Sequence, residues 1–142
     1  MANMSKWLEA TVLGYIKGST MHAPSNVYLG LIDDTATDAD MEGDNPLSKE
    51  ITGYTGNRPA ITFGAVSKAG LNPSEMEGPV LGPRDFEDMP DPLGRRVKYL
   101  VICNAAIGGN VLYWGEVMPV PKAWNIGDTF RAPINGIKLD LD

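Results

Sequence analysis

The stretch "VKYLVICNAAIGGNVLYWGE", Val97 to Glu116, decides how this sequence reads. Two apolar runs flank "NAAIGGN", and its paired glycines supply the backbone freedom that a tight reversal needs. The pattern predicts adjacent antiparallel strands over Val97–Cys103 and Val111–Val117. The aromatics of "VLYWGE" should then alternate between a core and an outer face.

Working outward from this pair, turn signals and short strands recur. Downstream, "MPVPKAW" reads as a proline-restrained crossing, "NIGD" as a turn and "TFRAP" as the start of another strand. In "GIKLDLD", Ile137, Leu139 and Leu141 alternate with Lys138, Asp140 and Asp142, the mark of a half-buried antiparallel strand. Upstream, "VYLGLID" (Val27 to Asp33) is a strand, and "GNRPAITFG" leads into one with Pro59, Ile61 and Phe63 on one face. Ser67 to Leu71 reads as a hairpin-like turn. Residues 34–49 and 73–94 are expected to be long surface loops. The first is acidic without apolar periodicity, and the second crowds five of the eleven prolines into 73–92, leaving at best an edge strand around "EGPVLG". A helical arm occupies residues 1–24, with Ser5 as N-cap, Gly18 as stop, and Leu8, Val12 and Ile16 on one face. The fold class that follows is all-β: a single domain over 1–142, an antiparallel β-sandwich, jelly-roll-like or immunoglobulin-like in connectivity, with a short N-terminal helix.

Composition narrows the function. A net charge of −6, with Arg95, Arg96 and Lys98 the only basic cluster, argues against binding nucleic acid or an anionic membrane. No run reaches the ~18 apolar residues of a membrane span, and "MANMSKWLEATVLGYIKG" is too interrupted by charge for a signal peptide. His22 is the only histidine and Cys103 the only cysteine, too few for a zinc site and poor material for a nucleophile–base pair. Cys103 lies in an apolar run and reads as a buried thiol. The glycine-rich spots lack the Gly-Lys-Ser/Thr ending of a phosphate loop. "DADMEGDNPLSK", Asp38 to Lys49, starts like a calcium loop with Asp38, Asp40, Glu42 and Gly43 in place. It then puts Pro46 at position nine and Lys49 where a bidentate Glu belongs. The expectation is no enzyme, no catalytic residue, no metal and no cofactor.

"GGNVLYWGEV" followed by "NIGDTFRAPINGIKLDLD" resembles the closing segments of small tailed-bacteriophage virion proteins. "APSNVYLGLID" and "GNRPAITFG" match the earlier segments of that family. The family pattern is more compact in its middle than "NPSEMEGPVLGPRDFEDMPDPLGRR" is here. The resemblance implies a structural protein of the virion, made in the host cytoplasm. The expected role is capsid cement or decoration on the outer head surface, with the major capsid protein and copies of itself as partners. The alternative is a tail-fibre or tail-tip accessory used in host adsorption. Interfaces favour aromatics and Met, so the expected contact residues are Trp7, Leu8 and Tyr15 of the arm and Met41, Phe86, Met89 and Trp124 of the loops.

Overall fold

A computed structural model describes the backbone at residues 3–52, 57–61, 67–68, 74–77, 84–86, 95–117, 122–124, 130–132 and 138–140. Side chains are described at 3–52, 57–61 and 96–117. The described chain is mostly antiparallel strand with short helices. Its centre is the pair expected from the sequence. Strand β7 (Arg95–Cys103) runs antiparallel to β8 (Val111–Glu116) on one side and to β2 (Val27–Asp33) on the other. Two-residue strands close the edges, β1 (Asn3–Met4) beside β8 and β3 (Ala60–Ile61) beside β2, giving the order β1-β8-β7-β2-β3.

The sixth strand of this sheet lies in the expected crossing. β9 (Lys122–Trp124) pairs with Arg95–Val97 at the start of β7. Val97 faces Asp33 across one edge and Lys122 across the other, so β9 continues the line of β8. The outer edge of β2 is also occupied. Ile51 N–H donates to Leu31 O at 2.9 Å and Leu29 N–H to Pro59 O at 3.0 Å. A covered edge cannot recruit another strand.

Both faces of this sheet are buried, which the expected alternation of core and outer face did not anticipate. Leu29, Leu31, Ile51, Ile61, Val97 and Ile102 form one apolar cluster. Ile32, Ala36, Met41, Tyr99, Val101, Cys103, Val111 and Trp114 form the other. The continuous apolar run of β7 is the signature of a strand covered on both sides. A bulge decides the sorting: Ile32 pairs with Tyr99 but Asp33 pairs with Val97, so Lys98 is the extra residue. The insertion turns Val97 toward Leu29 and Leu31, while Tyr99, Val101 and Cys103 point the other way.

The segment 34–49, expected as a surface loop, covers the second face. It contains α2 (Asp38–Glu42), started by a capping box in which Thr37 and Asp40 bond each other's backbone N–H. Met41 and Ala36 are buried against the sheet, and Leu47 packs beside them. The acidic residues face outward and hide one apolar side chain per turn, which is why periodicity was weak. Tyr99 meets Trp114 edge to face, ring centroids 5.6 Å apart, and its hydroxyl donates to the Asp38 carboxylate.

Arg58 and Glu50 lie on the same face as a buried ion pair. The guanidinium grips the carboxylate with two parallel bonds, 2.5 and 2.6 Å, and donates to Ala105 O and Gly108 O at 2.8 and 2.7 Å. Gly30 makes room for it: a Cβ there would lie 2.8 Å from Val101 Cγ2 and 3.3 Å from Arg58 Nε. The carbonyls that Arg58 holds belong to the "NAAIGGN" turn, where Gly108 and Gly109 take φ values of 61° and 70°.

Further strands form two small antiparallel sheets. β4 (Ser67–Lys68), β5 (Ser74–Glu77) and β11 (Lys138–Asp140) run in the order β11-β5-β4. β6 (Arg84–Phe86) pairs with β10 (Phe130–Ala132). The proline-rich 73–94 region thus holds two strands where a loop was expected, while the edge strand expected around "EGPVLG" lies, past Glu77, outside the described residues. "SEME" sits between Pro73 and Pro79, so every residue of β5 keeps its N–H for the ladder. Ser67 and Lys68, expected in a turn, pair instead with Glu75 and Ser74. The expected inward turn of Ile137 and Leu141 lies outside the described residues.

Two substitutions measure these covers. Met41→Ala should lower unfolding free energy by about 2–5 kcal/mol, seen as a lower urea midpoint at unchanged slope. Arg58→Ala should cost about 3–5 kcal/mol because it strands the Glu50 carboxylate and two carbonyls, whereas a loss within 0.5 kcal/mol would show the pair to be dispensable.

Candidate functional site

Among the described residues, most of the exposed large apolar side chains lie on or just beyond α1 (Lys6–Lys17). Its ends are fixed by local chemistry. Ser5 Oγ accepts from Leu8 N–H at 3.1 Å and donates to Val111 O, and Ser5 N–H donates to Leu112 O at 2.8 Å, so the helix springs from the edge of the sheet. Glu9 in the first turn and Lys17 in the last suit the helix dipole. At the far end Gly18 adopts φ 113°, and Ser19 N–H reaches back to Gly14 O at 2.8 Å.

No residue of α1 is buried. Leu8, Thr11 and Val12 turn toward the sheet and are half covered. Trp7 remains 41% exposed, Leu13 66%, Tyr15 63% and Ile16 74%, with Met21 just beyond at 45%. Under the helix runs an apolar groove of about 310 Å³ lined by Trp7, Leu8, Met21, Val27, Leu112 and Tyr113. On its other flank a cleft of about 290 Å³ lies between Trp7, Ala10, Asp44 and Pro46. Trp7 therefore stands between two recesses. The Lys6–Asp44 pair across that cleft, 2.6 Å long, is exposed at both ends and contributes little to stability.

Of the residues singled out from the sequence, the fold gathers Trp7, Leu8 and Tyr15 on this arm. Met41 is a correction: it is fully buried beneath β7 and β8, so it offers no contact surface. Phe86 lies on β6 opposite Phe130 and Trp124 on β9 opposite Arg95, but their side chains are outside the described residues, as is all of Met89. Leu13, Ile16 and Met21 were not foreseen as surface. Leu13 falls off the Leu8–Val12–Ile16 line, and this second apolar direction was the signal available.

Among the described residues, several groups with chemical potential are engaged by the protein itself. In the calcium-like segment, Asp38 accepts from Tyr99, while Asp40 accepts from Thr37 and pairs with Lys49 at 3.2 Å. The Thr37 bonds, and then Lys49, hold the Asp40 carboxyl below the usual range. Among the described residues no group of three His, Cys, Asp or Glu side chains is placed to hold a metal ion. His22 is exposed beside the groove.

Two acids stay protonated beneath the sheet. Burial pushes the Cys103 thiol up to about 12 from 9.0. Burial, then the bond to Asp38, raises the Tyr99 hydroxyl above its usual 10.0. The folded chain thus keeps protons that the unfolded chain releases. Stability should be complete below about pH 9 and fall as pH rises toward 12, by up to about 1.4 kcal/mol per pH unit for each group. Urea midpoints taken between about pH 8 and 11 check this, and a flat profile would contradict it.

Among the described residues no helix is long and apolar enough to cross a membrane. Comparison with curated proteins finds no match. A family model described as podophage GP4 fiber I protein gp80 matches residues 3–140, a span that takes in the α1 arm, the central sheet and both small sheets. This agrees with the resemblance carried by "GGNVLYWGEV" and "NIGDTFRAPINGIKLDLD". The chain belongs to the podophage GP4 fiber I protein gp80 family, and is a structural protein of the phage virion type.

Proposed function

We propose that this chain is a non-enzymatic, fibre-type component of the virion exterior, docking through its helical arm onto a neighbouring virion protein. The observation that carries the reading is the match to a fiber I protein model over residues 3–140. The arm supports it, because a soluble domain seldom leaves so many large apolar side chains of one helix in water unless they meet a partner. The double-faced sheet supplies a rigid base for that arm. Arrangement of the three sheets as a sandwich belongs to the same proposal.

Capsid cement is the second reading, with the major capsid protein and copies of this chain as partners. It is favoured by the shape of the elements: the longer described helix has 12 residues, and the sequence has no heptads from which to build a shaft. Either role works by many weak contacts repeated over a particle.

Immunogold labelling of purified virions with antibody to this chain separates the two. Label confined to the tail is the expected result. Uniform label over the head would replace the fibre reading with cement, and unlabelled particles would remove the chain from the virion altogether.

A further inference from the structure

The outer side of α1 carries a pattern that the groove beneath it does not explain. At 100° per residue, Lys6, Glu9, Ala10, Leu13, Ile16 and Lys17 fall within about 120° of arc, opposite Leu8 and Thr11. All six are exposed. Leu13 lies near the middle of this strip. Glu9 and Lys17 stand four residues to either side of it, and Ala10 and Ile16 three. Among the described residues neither Glu9 nor Lys17 has an ion-pair partner within the chain.

We infer that this strip is a self-association surface on which α1 packs antiparallel against α1 of a second copy, around a two-fold axis at Leu13. The inference deepens the proposed function and rests on its reading of the arm as a docking element. An antiparallel two-fold repeats every contact twice. It places Leu13 on its own counterpart, seats Ile16 over the small Ala10, and sets Glu9 against Lys17 of the other copy. Charge complementarity therefore favours the antiparallel sense, because a parallel pair would set like charges side by side. Lys6 lies toward the helix start, already paired with Asp44, and adds no uncompensated charge to the strip.

The available area is small. At about 200 Å² for a large side chain, Leu13 and Ile16 leave roughly 280 Å² of the strip in water. That is less than the apolar part of one side of a standard interface, about 800 Å² per partner. Leu13 and Ile16 supply the centre, with Ala10 beside them. Such a contact gives a weak dimer in solution, strengthened wherever copies are held close together.

Sedimentation velocity on the purified full chain tests this across about 1–100 µM. Wild type should pass from monomer to dimer. Glu9→Lys and Lys17→Glu should each weaken the dimer about tenfold or more, and the double reversal should restore it. Leu13→Asp should remain monomeric, with an unchanged circular dichroism spectrum and melting temperature because Leu13 is exposed in the monomer. A wild type that stays monomeric throughout, a trimer, or a dimer indifferent to both charge reversals would each overturn the inference. The first result would leave the strip to a different virion protein, and the last would put the dimer contact elsewhere on the chain. The reversals sit on exposed positions, so the test survives if Leu13→Asp fails to fold. Virion labelling reads location and sedimentation reads self-association, so failure of one is distinct from failure of the other.

Discussion

The constraint on which the described structure depends is the burial of β7 on both faces. A strand with Tyr99, Val101 and Cys103 on one side and Leu100 and Ile102 on the other has no face to give to water. Each such side chain left exposed would forgo about 1.5–3 kcal/mol. Neighbours must therefore be found above, below and along both edges. β2 and β8 take the edges, Ile51 and Ile61 add apolar side chains to one face from beyond β2, and the 34–49 segment closes the other face through Ala36, Met41 and Leu47.

The buried Arg58–Glu50 pair ties these covers together. Burying two charges is costly, and attraction alone does not guarantee repayment. Here the geometry is the favourable kind: a two-point fork, with the remaining guanidinium N–H groups turned to the carbonyls of Ala105 and Gly108. One side chain thus joins the segment after β2, the approach to β3 and the β7–β8 turn. Gly30 is the condition for it, since any Cβ would push against Val101 and the guanidinium. Specific position, more than net stability, is what such a pair contributes.

The arm obeys a different logic. α1 has a full set of local helix signals in Ser5, Glu9, Lys17 and Gly18, yet buries nothing. An isolated helix of this length is marginal in water. Attachment through Ser5 at the sheet edge and half coverage of Leu8 and Val12 hold it in place. This leaves the outer strip and the groove uncovered.

By itself the sequence determined the elements whose signals are local. The helix follows from its caps and spacing, β2 and the β7–β8 pair from apolar runs bounded by turns, and the reversal between them from Gly108 and Gly109. Family membership was legible for the same reason, being carried by contiguous strand and turn segments. Tertiary structure decided what depends on residues far apart. It showed that the 34–49 segment is a cover, because Met41 is clustered with Tyr99, Val101, Cys103, Val111 and Trp114, all more than fifty positions away, and so removed Met41 from the contact set. It set β5 in the middle of a sheet, where only the distant β11 supplies the second edge. It brought Arg58 to carbonyls about fifty residues away. It also showed which side of α1 stays in water, since amphipathic spacing marks an apolar face but not whether the chain has a surface to lay against it.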